Sequence, residues 1–214
     1  MNSFIDILEK EFGIGTPIFT EEIASLFPDI SEVALFKRIN KALKAGSLKR
    51  ETRGVYYIPE LVTVLGETKE MPLDQMAVIQ KKYLQDGEEV YGYFSGLKLE
   101  NDAGISPQIP GTIEIVTNNE SSRKRSVGPY AGYKDIIVRR SKIPVNKDNV
   151  EELKVIDLIE RAPLASLEDY QLQALRKRAN SVERSKVLEC LSMLPSSTAK
   201  KFLESERFGV FARS

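Results

Sequence analysis

SEVALFKRINKALKAGSLKRETRGVYYIP, residues 31–59, is the stretch on which the fold turns. Ser31 is a side-chain cap for a helix that runs to about Ala45 and is stopped by Gly46. At about 100° per residue, Val33, Phe36, Ile39 and Leu43 collect on one side of it, with Asn40 near that apolar side. The opposite side carries Ser31, Ala34, Arg38 and Lys41, with Lys37 and Lys44 at its edge. Beyond Gly46, the runs 48–52 and 55–59 are β-prone, and Gly54 between them allows the positive φ of a tight hairpin. Arg50 and Arg53 fall near its tip.

Working back toward the N-terminus, Phe4, Ile5, Leu8 and Phe12 recur at helical spacing behind a Ser3 cap. Thr16 to Phe19 is a brief extended piece. Thr20 is then expected to cap a second helix that buries Ile23 and Leu26 and ends at Phe27-Pro28. A short helix, a tight connection and a longer helix with a small and basic outer face is the helix-turn-helix pattern. A basic-tipped hairpin after it makes the expectation a winged helix-turn-helix over residues 1–60.

Charge is distributed in keeping with that expectation. The chain of 214 residues has a formal net charge of +0. Between residues 37 and 53, however, seven basic residues stand against Glu51 alone. A second cluster from 121 to 142, including Arg123, Lys124, Arg125, Arg139 and Arg140, sets seven against Asp135. Local clustering, not the sum, is what a phosphate backbone senses. The expected DNA contacts are therefore Ser31, Ala34, Lys37, Arg38, Lys41, Lys44, Arg50 and Arg53, with Arg38 a candidate base reader. Arg123, Lys124, Arg125, Arg139 and Arg140 form a possible secondary surface for DNA or a partner, or a solvated loop.

Residues 61–214 read as a mixed α/β domain that turns helical from about Asn146, so the expected class is α+β. Pro59 to Pro72 is a connecting segment, with a short strand at 61–65 and a helix at 73–84. Tyr91 to Leu97 leads into a short helix ending near Gly104. Thr112–Thr117 and Tyr133–Arg139 are strands, joined by an exposed loop. Val150 to Ile159 forms an apolar helix stopped before Pro163. Further helices are expected from Ser166, with Asp169 in a capping box, from Ser181, and after Pro195.

Composition narrows the chemistry. There is no histidine, which removes histidine-based triads, bases and zinc ligands together. The lone Cys190 lies among Val187, Leu188 and Leu191 and reads as a small core residue. Glu114, with Asn118, Asn119 and Glu120 nearby, is the best carboxylate candidate for a cation, but it lacks the E-x-K spacing of a nuclease strand. Glu152-Leu153-Lys154 has the spacing on a helix. No glycine-rich phosphate loop occurs. No apolar run approaches the ~18 residues of a membrane span, and the N-terminus lacks a signal-peptide pattern. The expectation is a cytoplasmic protein, not an enzyme, without cofactor or metal.

Four stretches resemble the antitoxins of type IV (AbiEi-like) toxin–antitoxin systems. They are Gly13 to Phe19, Gly54 to Pro59, Tyr91-Gly92-Tyr93-Phe94-Ser95-Gly96-Leu97, and Ile113 to Asn119. The resemblance covers about residues 1–160. It implies a winged domain that binds double-stranded DNA at the operator of its own operon. It also implies opposition to a nucleotidyltransferase-like toxin without a required stable complex, and a second domain like a degenerate endonuclease fold. Two other classes remain open: a winged-helix regulator whose second domain senses a ligand or partner, and a carboxylate-metal nucleic-acid-processing enzyme.

Overall fold

The computed structural model describes residues 3–211 and is a mixed α+β structure. It divides into two compact units, one through Val78 and one from Ile79. A boundary after residue 60 is the sequence expectation. Here the first unit also contains the hairpin that follows.

In the first unit, α1 (Phe4–Phe12) is capped by Ser3, whose hydroxyl accepts from the Asp6 N–H while the Asp6 carboxylate accepts from Ser3 N–H. The pair satisfies two of the donors that every helix start leaves orphaned. β1 (Ile18–Phe19) runs directly into α2 (Thr20–Leu26). Thr20 is not its cap: Glu22 reaches back to the Phe19 N–H at 2.7 Å, and Thr20 bonds the Gly54 carbonyl through both its N–H and its hydroxyl. α3 (Glu32–Lys44) starts at Ser31, whose hydroxyl accepts from the Ala34 N–H.

β2 (Lys49–Thr52) and β3 (Val55–Tyr57) form the expected hairpin, with Gly54 at φ 80° in its turn. β1 pairs with the far side of β3, giving a three-stranded antiparallel sheet in the order β1-β3-β2. The Thr20 bonds fasten the hairpin turn to the start of α2. A second hairpin, β4 (Glu60–Val64) and β5 (Glu67–Met71), replaces the expected lone strand. α4 (Gln75–Ile79) passes into a wider turn at Gln80–Leu84, so the expected helix over 73–84 is present in two pieces.

The rotation of α3 differs from the sequence expectation. Its core face is Leu35, Ile39 and Ala42, all buried, with Leu43 packed at the margin. Val33 is 67% exposed and Phe36 37%. The reason is visible on the helical wheel: a stripe from Val33 to Leu43 also encloses Glu32 and Asn40, and burying an unpaired carboxylate or amide costs more than burying one more apolar chain gains. The Leu35 stripe has neither. It joins Leu8, Ile18, Ile23, Leu48, Tyr56 and Ile58 in one core.

In the second unit, β6 (Gln85–Asp86) and β7 (Glu89–Val90) form a small ribbon. β8 (Gly92–Ser95) leads into α5 (Gly96–Asp102). β9 (Thr112–Thr117), β10 (Arg125–Ser126) and β11 (Asp135–Arg140) complete a sheet in the order β10-β11-β9-β8, with β9 and β11 parallel. β8 lies antiparallel to β9, pairing Gly92 with Thr117 and Ser95 with Glu114. Gly92 is obligatory: a Cβ there would lie 2.0 Å from the Tyr83 carbonyl oxygen and 2.7 Å from that of Val116.

α6 (Val150–Arg161) is the central helix, contacted by α5, by β8, and by α7 (Asp169–Ala179), α8 (Arg184–Ser192) and α9 (Ser196–Arg207). Its Leu153, Val155, Ile156, Leu158 and Ile159 are buried in a core shared with Leu175, Val187, Cys190 and Phe202. The start of α7 departs from expectation. Ser166 bonds back to Pro163 in a short 3-10 turn, and the cap is Glu168, whose N–H donates to Gln171 Oε1. α8 likewise begins at Arg184, not at Ser181. No helix among the described residues is long and apolar enough to cross a membrane.

The rotation of α3 is testable by stability alone. Leu35→Ala leaves a cavity in a close-packed core and is expected to cost about 2–5 kcal/mol. Val33→Ala, on the solvent side, is expected to change stability by no more than about 0.5 kcal/mol. Urea unfolding followed by circular dichroism compares them; equal losses would place Val33 in the core.

Candidate nucleic-acid interface

With Leu35, Ile39 and Ala42 turned inward, two rows of α3 residues face away from the core. The first is Val33, Lys37, Asn40 and Lys44, all exposed. The second, on one flank, is Ala34, Arg38, Lys41 and Ala45, of which Ala34 is half-buried. Arg38 and Lys41 border an open groove of about 380 Å³ together with Ser3, Phe4, Ile5 and Ser47. Lys37, Arg38, Lys41 and Lys44 thus extend from one helix without an ion pair among the described residues. Four cations within about two turns of one helix repel one another.

The remaining expected contacts divide by role. Ser31 is committed to capping α3, so its hydroxyl serves the helix before any ligand. Arg50 and Arg53 are both exposed on the β2–β3 hairpin. Arg50 Nε donates to the Thr52 carbonyl at 3.3 Å, which holds its stem along the hairpin, where a bulge falls between Arg50 and Thr52. Glu51, the lone acid of this stretch, accepts from the Gln75 amide at 2.7 Å.

Three of the seven cations of the second basic cluster are paired within the fold. Arg125 donates to Glu120 Oε2 through Nε at 2.9 Å and Nη2 at 2.7 Å. The Ser122 backbone N–H, and then the Arg125 guanidinium, hold the Glu120 carboxyl below the usual range. Lys142 pairs with Glu160. Arg139 turns into the seam between the sheet and α6. There its Nη2 donates to Ser95 Oγ at 2.8 Å, while the Ser95 hydroxyl donates to Asp157. Arg161, one turn along α6 from Asp157, bonds it at 3.2 Å and Glu114 at 2.6 Å. Arg123, Lys124, Lys134 and Arg140 are left exposed.

That seam also accounts for the groups considered for chemistry. Glu114 is held by Arg161, with Arg139 Nε at 3.6 Å. Asn118 closes a loop by bonding the Val145 backbone through both ends of its amide, and Asn119 donates to the Lys82 carbonyl. Glu114, Asn118, Asn119 and Glu120 are therefore each spent on a different partner. Burial, reinforced by Asp157, pushes the Tyr93 phenol up, which keeps it protonated. Burial likewise raises the Cys190 thiol. Among the described residues no group of three or more acidic or cysteine side chains is gathered to hold a metal.

The chain matches no protein-family model and no curated protein. Val33 and Phe36 are the residues that periodicity alone misassigned. The signal that identifies them as outward is Glu32 and Asn40 falling within the supposed apolar stripe.

The Glu120 carboxyl gives a pH test. Its folded value is depressed, so the stability it contributes is present at neutral pH and is lost as pH falls from the ordinary Glu value of about 4.3 through the folded one. Glu120→Gln is expected to flatten the stability–pH profile below about pH 4.5, measured by urea unfolding at successive pH values; an unchanged profile would show that the pair contributes nothing.

Proposed function

We propose that this protein is a DNA-binding transcriptional regulator in which α1–α3 and the β2–β3 hairpin act as a winged helix-turn-helix. The observation that carries the reading is the set of unpaired cations on the outer side of α3: Lys37, Arg38, Lys41 and Lys44. A solvated face commonly intersperses both signs, whereas these four stand without an acid among them. The capped start of α3 adds a favourable dipole end for phosphate. On this reading α3 enters the major groove, Arg38 and Lys41 meet the flanking backbone from their groove beside α1, and Arg50 and Arg53 approach phosphate or minor groove from the hairpin.

The second unit gives the regulator its biological role. The resemblance to type IV antitoxins rests there on Tyr91–Leu97 and Ile113–Asn119, which lie against each other as β8 and β9. We propose that the protein represses its own operon and opposes a nucleotidyltransferase-like toxin. The unit acts without catalysis: Glu114 and Asp157 are neutralised by Arg139 and Arg161, and the Tyr93 phenol stays protonated. Coexpression with a neighbouring nucleotidyltransferase gene tests the toxin half, since the protein is expected to restore growth.

The DNA half is tested by anisotropy of a labelled duplex from upstream of the gene, across a salt series. Each phosphate contact contributes about 0.9 to the slope of log affinity against log salt. Replacing Lys37, Lys41 and Lys44 together by alanine is expected to reduce that slope by roughly 2–3. A slope indifferent to the three changes would leave the basic face of α3 as solvated surface.

A further inference from the structure

The outermost row of α3 is not uniformly basic, and its two exceptions, Val33 and Asn40, are tied neither to a core nor to a described hydrogen-bond partner. Val33, Lys37, Asn40 and Lys44 follow the spacing i, i+4, i+7, i+11 and so form one line along the helix. At 1.5 Å rise per residue the line is about 16 Å long, roughly five base-pair steps at ~3.4 Å. Val33 is 67% exposed and belongs to neither buried core. Asn40 is exposed, and its amide is engaged by no described residue. A face built for phosphate alone needs only cations and small donors. An exposed valine adds nothing to such a face, and an asparagine adds no charge.

We infer that Val33 and Asn40 are the base-reading residues of this helix and that the duplex it selects presents A·T pairs in the major groove. The inference rests on the DNA-binding reading above. The two chemistries are complementary. Thymine carries a 5-methyl group in that groove, which the Val33 methyls cover. Adenine offers the N7 acceptor and the N6 amino donor side by side, which an asparagine amide matches by donating through Nδ2 and accepting at Oδ1. Lys37 and Lys44 alternate with the two readers and hold the row against the acidic walls. Ser31, expected as a DNA contact from sequence, and Arg38, expected as a base reader, are displaced from the line: one caps the helix and the other borders the groove beside α1.

The test uses the full chain and a randomised duplex pool. Selection is expected to enrich a motif containing A·T pairs. Within it, single thymines are replaced by deoxyuridine, which removes only the methyl, and single adenines by 7-deazaadenine, which removes only N7. Wild type is expected to lose about fourfold in affinity at one deoxyuridine position and about tenfold at one deazaadenine position. Val33→Ala abolishes the first sensitivity and Asn40→Ala the second. Unchanged urea midpoints verify that both variants fold. Enrichment of no motif, with salt-sensitive binding intact, would overturn the base-reading assignment and leave the DNA reading standing. Sensitivities that persist unchanged in the variants would do the same. Absence of salt-sensitive DNA binding by wild type would overturn both.

Discussion

The seating of α3 on its core is the constraint from which the proposed interface follows. Leu35, Ile39 and Ala42 share a buried cluster with Leu8, Ile18, Ile23, Leu48 and Tyr56, drawn from α1, β1, α2 and the β2–β3 hairpin. A helix with three anchors at that spacing has one rotation about its axis, because any turn withdraws a large side chain and brings in Glu32 or Arg38. The outward residues are therefore set by what is buried. Val33, Lys37, Asn40 and Lys44 face solvent because Leu35 does not. The Thr20–Gly54 bonds extend the same order to the hairpin, tying its turn to the start of α2 and so fixing where Arg50 and Arg53 begin.

The second unit is organised by a different device. α6 lies in an apolar core on most of its surface, but Asp157 and Arg161 meet Glu114, Arg139 and Ser95 on the sheet side. Buried charges of one sign would be costly there; two carboxylates and two guanidinium groups cancel, and Ser95 links one of each. The arrangement orients α6 on the sheet and at the same time withdraws Arg139 from the exposed cluster to which sequence assigned it. Arg125 is withdrawn by Glu120 in the same way. Pairing inside the fold thus takes Arg125, Arg139 and Lys142 out of the second basic cluster and leaves Arg123, Lys124, Lys134 and Arg140 exposed.

Much of this was legible beforehand, and the exceptions have physical reasons. Ser3, Ser31, Gly46 and Gly54 punctuate the chain through local hydrogen bonds and backbone freedom, which neighbouring residues alone decide. The strands at 112–117 and 135–140 follow from β-branched runs. The rotation of α3 was not legible from apolar periodicity, because eight of its residues from Val33 to Ala45 are apolar or small and two stripes compete. Which one wins depends on Glu32 and Asn40, whose burial cost periodicity ignores. The fate of Arg139 and Lys142 was beyond local reading altogether, since their partners lie on other elements, whereas Arg125 meets Glu120 five residues before it. The β4–β5 hairpin was half legible: Leu61 to Leu65 is β-prone, but its partner strand Glu67–Met71 is polar and exposed.

Backbone and side-chain chemical-shift mapping of the labelled full-length protein with the selected duplex tests the central claim most directly. The account predicts that the largest perturbations fall on Val33, Lys37, Asn40 and Lys41, with a second group at Arg50 and Arg53. Perturbations confined to Arg123, Lys124 and Arg140, with α3 unmoved, would contradict it.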